Sequence, residues 1–115
     1  MLHKGSCHCG KVKFEVDADI DKVIDCNCSI CARKGALLAA VSRDKFTLIS
    51  GEGALASYEF NKRAIQHRFC TTCGIHPFAQ SAHSKPNPMM MVNVRCLDGI
   101  DLDKLAVRRF DGRAL

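Results

Sequence analysis

The chain has 115 residues, room for one domain and not for two of ordinary size. Apolar residues make up 47% and charged residues 25%, with both signs spread along the chain, which excludes a disordered or low-complexity protein. The longest apolar run, around Met89 to Val92, is far too short to span a bilayer, and the formal charge of +5 weakens once seven clustered cysteines are counted as thiolates on metal.

In chain order the sequence predicts short strands between turns. Residues Met1 to Cys7 hold no apolar run of the kind that opens a secretion signal, so a cytoplasmic protein is expected. Lys11 to Val16 alternates cleanly, with Val12, Phe14 and Val16 on one side, as in a half-buried strand. Asp17 to Asp25 reads as a turn or loop. Ser29 is placed to N-cap one helical turn that runs to Lys34 and stops at Gly35. Ala36 to Val41 reads as a buried strand, and Phe46 to Ile49 as another, ended by Gly51-Glu52-Gly53. Leu55 to Phe60 and Ile65 to Phe69 follow as strands around an Asn61-Lys62-Arg63 turn. Ile75 to Gln80 carries Pro77, which suggests an edge or a bend. Ser81 to Pro88 reads as an exposed loop, and Met89 to Arg95 as a strand closed by Asp98-Gly99. Leu102 to Leu105 is a single helical turn and Ala106 to Phe110 a last strand. The class is mainly β, with several small sheets in one domain over residues 1–115.

Seven of the eight cysteines fall in three tight groups: Cys7-His8-Cys9, Cys26-Asn27-Cys28-Ser29-Ile30-Cys31 and Cys70-Thr71-Thr72-Cys73. A reducing cytosol favours metal or redox chemistry over a disulfide framework for so dense a set. Thiols two residues apart bridge poorly but can face one ion. Cys7 and Cys9 with Cys70 and Cys73 therefore make a tetrahedral four-cysteine site, closed and structural, with Gly74 ending its second turn. A redox C-x-x-C is disfavoured, because no βαβ pattern surrounds Cys70.

Cys26, Cys28 and Cys31 supply three thiolates and leave a fourth position open, the arrangement of a catalytic zinc. Cys96, His67, His76 or His83 could close it instead. Two zinc ions per chain are thus expected, and with four charges against seven thiolates they weaken the case for nucleic acid as a partner. An ion carrying three thiolates generates hydroxide poorly and suits sulfur chemistry, holding a thiol as thiolate beside an electrophile. Cys96 reads as a small buried hydrophobe in a strand, His8 as solvent-exposed, and Met89-Met90-Met91 as strand packing rather than a copper site. His76 either lines the open site or hydrogen-bonds in the core. Arg33 and Lys34, just past the third cysteine, could grip a substrate carboxylate.

Taken together, Gly5-Ser6-Cys7-His8-Cys9-Gly10-Lys11-Val12, Cys26 through Gly35, Phe69-Cys70-Thr71-Thr72-Cys73-Gly74 and Val92 through Asp98 resemble the glutathione-dependent formaldehyde-activating (GFA) family, which includes the centromere protein V group. The resemblance covers nearly the whole chain. It implies a β-tent fold stapled by two zinc ions, one at Cys7, Cys9, Cys70 and Cys73 and one at Cys26, Cys28 and Cys31. It also implies joining of glutathione and formaldehyde to S-hydroxymethylglutathione, a carbon–sulfur lyase reaction in reverse. On this reading zinc takes the substrate thiol, Arg33 or Lys34 grips a carboxylate, and neutral His76 moves the proton. The alternative is a zinc-stapled binding module without catalysis, contacting protein or nucleic acid through Lys62, Arg63, Arg68, Arg108, Arg109 and Arg113. No aromatics are interleaved with these basic residues as single-strand binders require.

Overall fold

The computed structural model describes residues 1–59, 65–81 and 89–114. Among these residues the chain forms ten strands and one short helix, with a few single 3-10 turns: β1 (Leu2–Ser6), β2 (Lys13–Asp17), β3 (Lys22–Cys26), α1 (Ser29–Lys34), β4 (Leu38–Ser42), β5 (Phe46–Ser50), β6 (Leu55–Tyr58), β7 (Ile65–Cys70), β8 (Phe78–Ser81), β9 (Met89–Asn93) and β10 (Ala106–Phe110). They form two sheets, a three-stranded one in the order β1-β2-β5 and a seven-stranded one in the order β10-β3-β4-β9-β8-β7-β6. The mainly β class read from the sequence is what the chain forms. Among the described residues no helix is long and apolar enough to cross a membrane.

The core lies between the two sheets because each offers one apolar face. Val12, Phe14 and Val16 are at most 1% exposed, as the alternation around β2 requires, while Lys13 points to solvent. From the large sheet, Val23, Val41, Phe78, Met90 and Val92 meet Phe14 and Val16, while Val12 packs with Cys7 and Cys70. Phe46 from β5 stacks on Phe14 at 5.4 Å and packs against Phe78 at 4.8 Å. The β4–β9 pairing, Leu38↔Asn93 through Ser42↔Met89, makes the two most apolar strands neighbours at the centre of the large sheet.

Four local readings change. Asp17 to Asp25 is not all loop: β3 occupies Lys22–Cys26 and pairs in parallel with β10. The signal was weak because β3 buries only Val23 fully and β10 buries nothing. β1, equally exposed, was not read at all. Pro77 lies one residue before β8, and β8 is internal to the sheet, so it marks no edge. Cys96 sits in a 3-10 turn, Val94–Cys96, opened by Asn93, whose side chain accepts from the Arg95 N–H at 3.2 Å. The N-cap of α1 is Cys28 rather than Ser29, and Gly35 ends the helix by donating to the Cys31 carbonyl. The turn read at Asn61-Lys62-Arg63 and most of the loop read at Ser81 to Pro88 lie outside the described residues.

Candidate functional site

The end of β1 delivers Cys7 into a tight turn, where its N–H donates to the Val12 carbonyl at 3.1 Å and its sulfur accepts from the Val12 N–H at 3.4 Å. Cys70 ends β7, and the Gly74 N–H closes the knuckle onto the Cys70 carbonyl at 2.8 Å. Gly74 needs φ +78°, a left-handed conformation that side chains resist. These two turns bring the Sγ atoms of Cys7, Cys9, Cys70 and Cys73 within 4.8 Å of one another. Cys9 lies 3.6 Å from both Cys7 and Cys70, sulfur to sulfur. A tetrahedral zinc with bonds of about 2.3 Å spaces its sulfurs at about 3.8 Å, so the set fits that ion. The N–H groups of Cys9 and Ile75 bring the Cys73 thiol down to about 6, in the range where it ionises for a metal.

The second cluster forms where β3 meets α1. Cys26 ends the strand, Cys28 caps the helix and Cys31 lies in its first turn, with all three sulfurs within 4.8 Å of one another. Burial pushes the Cys31 thiol up to about 12, and the Cys28 and Cys26 sulfurs add to that. For Cys28, burial opposes ionisation, but hydrogen bonds from the Cys31 backbone, the neighbouring sulfurs and the Ile30 backbone hold it below its ordinary value. Ionising such a set together needs a cation among the sulfurs.

Among the described residues no fourth Cys, His, Asp or Glu joins this group. Cys96 lies apart from it, its thiol 3.9 Å from the His76 carbonyl and pushed up to about 11 by burial. His83 lies outside the described residues. The three sulfurs instead line a cavity of about 380 Å³ whose other walls include Ile24, Leu38, Met91, His67, His76 and Lys34.

His76 is 9% exposed, and its Nδ1–H donates to the Arg68 carbonyl at 2.7 Å, which leaves Nε2 with its lone pair. Burial, with Lys34 adding to it, pushes its pKa down to about 4, so the ring is neutral at pH 7. Lys34 reaches the cavity wall, and burial holds its ammonium below the usual lysine range. Arg33 does not share this placement. Its guanidinium donates to the Ser29 carbonyl at 2.7 Å and lines a separate hollow with Tyr58. His8 is exposed, as read.

The chain matches the glutathione-dependent formaldehyde-activating enzyme family over residues 2–109. It belongs to that family. A crystal structure of a Rhodobacter sphaeroides protein is similar to it, with 34% identity, a TM-score of 0.78, and coverage of 91% of this chain and 99% of the other. The two cysteine clusters of this GFA chain can therefore hold metal ions in a manner consistent with zinc.

Sequence reasoning missed the segment that braces the second cluster. Asn27 donates from Nδ2 to Asp111 at 2.9 Å, accepts the Arg113 N–H on Oδ1 at 3.0 Å, and donates its own N–H to the Phe110 carbonyl at 3.1 Å. Three hydrogen bonds thus clasp the loop between Cys26 and Cys28 to residues more than eighty positions away. Nothing in the local pattern of Asp111-Gly112-Arg113 announces this, because the partners meet only once β10 has paired with β3. Not all the basic residues of the binding-module reading fall among the described residues. Arg68 is mostly buried and pairs with Glu52 at 3.5 Å, Arg108 and Arg109 lie on β10, and Lys62 and Arg63 fall outside the described residues.

Proposed function

We propose that this protein is a cytoplasmic enzyme of carbon–sulfur chemistry that adds a small thiol to a carbonyl compound, with glutathione and formaldehyde as the pair the family's name supplies. The observation that carries this is the three-sulfur cluster with no fourth protein ligand among the described residues, set in the wall of a cavity. The four-cysteine set already supplies all four ligands of a tetrahedral ion and suits a structural one. Cys26, Cys28 and Cys31 would hold a zinc ion, which would supply a soft acceptor for a further sulfur.

The residues of the chain do the rest. In the addition one carbon–sulfur bond forms, the carbonyl π bond breaks, and the thiol proton ends on the new alcohol oxygen, with no change of oxidation state overall. His76, neutral and fixed by its bond to the Arg68 carbonyl, accepts a hydrogen bond from the thiol on Nε2 as the proton passes to that oxygen. Lys34 orients a substrate carboxylate. The apolar walls exclude water that would compete for the carbonyl carbon.

The test is exchange between hydrated formaldehyde and S-hydroxymethylglutathione, followed by ¹³C NMR with and without zinc-loaded protein. Acceleration that disappears in Cys28→Ser supports the reading. Exchange at the same rate with and without protein would favour a binding module.

A further inference from the structure

We propose that His67 is a second catalytic residue of this site, its ring N–H donating to the carbonyl oxygen as the thiol adds. This rests on the carbon–sulfur reading above and divides the work of that reaction between two histidines.

Successive side chains of β7 leave opposite faces of the large sheet. Arg68 goes to one face and lines a separate hollow with Phe78 and Gln80. His67 goes to the other and lines the cavity that holds Cys26, Cys28 and Cys31. The register sets it opposite Ala79 of β8, which pairs in turn with Met91 of β9. Direct cross-strand neighbours stand about 5 Å apart, and a single methyl across from the ring leaves the space beside it open. His67 is only 9% exposed, on a wall it shares with Ile24, Leu38 and Met91.

The His67 ring lies 6.2 Å from the His76 ring, centroid to centroid, and the two are tilted by 46°. They differ in what they offer. His76 spends its N–H on the Arg68 carbonyl and presents Nε2 as an acceptor. Burial, with Lys34 adding to it, holds His67 below the ordinary histidine range, so this ring is also neutral at pH 7. A neutral imidazole keeps one N–H. The addition needs both kinds of group: an acceptor beside the thiol hydrogen, and a donor beside the oxygen on which negative charge gathers. Sulfur and oxygen are one carbon apart in the adduct, so two rings this close can serve both. The carbon–sulfur bond forms, the π pair moves to oxygen and the thiol proton ends there. The His67 proton stays on its nitrogen throughout.

The experiment uses the full zinc-loaded chain and the ¹³C exchange between formaldehyde and S-hydroxymethylglutathione. Glutathione affinity is read separately, from the thiolate-to-cobalt bands of the cobalt-substituted chain. His67→Phe should slow exchange about 100-fold, the usual loss on removing one donor to a developing oxyanion, and leave glutathione affinity within about twofold. His67→Gln keeps an N–H and should exceed the Phe variant by about tenfold. His67→Met gives the donor-free reading should the Phe variant fail to fold. Independently of turnover, the His67 N–H proton of the unaltered protein should move downfield when S-hydroxymethylglutathione is added. Exchange within about threefold of wild type in the donor-free variant, equal loss of exchange and glutathione affinity, a Gln variant no better than Phe, or an N–H signal that does not move overturns the inference and leaves the carbon–sulfur reading standing. Wild-type protein that does not accelerate exchange overturns both.

Discussion

Gly112 stands against Cys26 with no room for a side chain: a Cβ at position 112 would fall 2.6 Å from the Cys26 Sγ and 3.0 Å from the Cys28 Cβ. The second cluster is therefore shaped from two directions, by the β3–α1 junction and by the segment after β10. Gly112→Ala should displace the Cys26 sulfur and lower metal affinity at this cluster by about tenfold, roughly 1.4 kcal/mol, with little change in melting temperature. Chelator competition on the zinc-loaded variant checks it. Asn27→Ala should act in the same direction by releasing the clasp, whose bonds are worth about 1 kcal/mol each.

The two clusters should respond differently to loss of a ligand. Cys70 is 0% exposed and sits in a small core with Cys7 and Val12, so Cys70→Ser should unfold or precipitate the protein. Cys28, half-buried at the edge of a cavity, should tolerate Cys28→Ser with its fold kept and its exchangeable zinc lost. Circular dichroism and metal analysis of both variants decide this, and equal melting of the two would remove the distinction between the sites.

His76 titrates far from its usual range. Its folded pKa of about 4 lies below the ordinary 6.5, so the imidazole contributes stability that is fully present above pH 6.5 and is lost as the pH falls toward 4. Two and a half pKa units correspond to about 3 kcal/mol over that window. His76→Asn should flatten this part of the stability–pH curve relative to wild type. Imidazole ¹⁵N shifts should show one neutral tautomer, protonated at Nδ1, from pH 8 to pH 5.5. A midpoint near 6.5 would contradict the buried placement.

Lys34 and Arg33 should separate. Lys34→Gln should weaken a carboxylate-bearing thiol by about fivefold, near 1 kcal/mol, and leave a neutral alkanethiol unaffected. Arg33→Gln should change neither, because its guanidinium is held by the Ser29 carbonyl outside the cavity. Titration of both variants with a charged and a neutral thiol checks the difference.

The parts legible in the sequence are those whose signal is local. The alternation of Val12, Phe14 and Val16, the one-turn helix stopped at Gly35, and the spacing of Cys7, Cys9, Cys70 and Cys73 each follow from a few neighbouring residues. The three-cysteine set was equally plain. What escaped depends on distant partners. β3 carries little apolar contrast and is a strand because it pairs with β10, which was legible as a strand over Ala106 to Phe110. The Asn27 clasp and the close approach of Gly112 arise from that same pairing. Arg33 and Lys34 are adjacent in sequence, yet a helix turns successive side chains about 100° apart, which sends only Lys34 to the cavity.

The central claim is that Cys26, Cys28 and Cys31 hold an ion with a position left for an external thiol. The most direct measurement is ¹¹³Cd NMR of the cadmium-substituted full chain, titrated with a small thiol. The account predicts two resonances, one that does not move and one that shifts toward four-sulfur coordination as the thiol is added. Two resonances that both stay fixed, or a single resonance per chain, would contradict it.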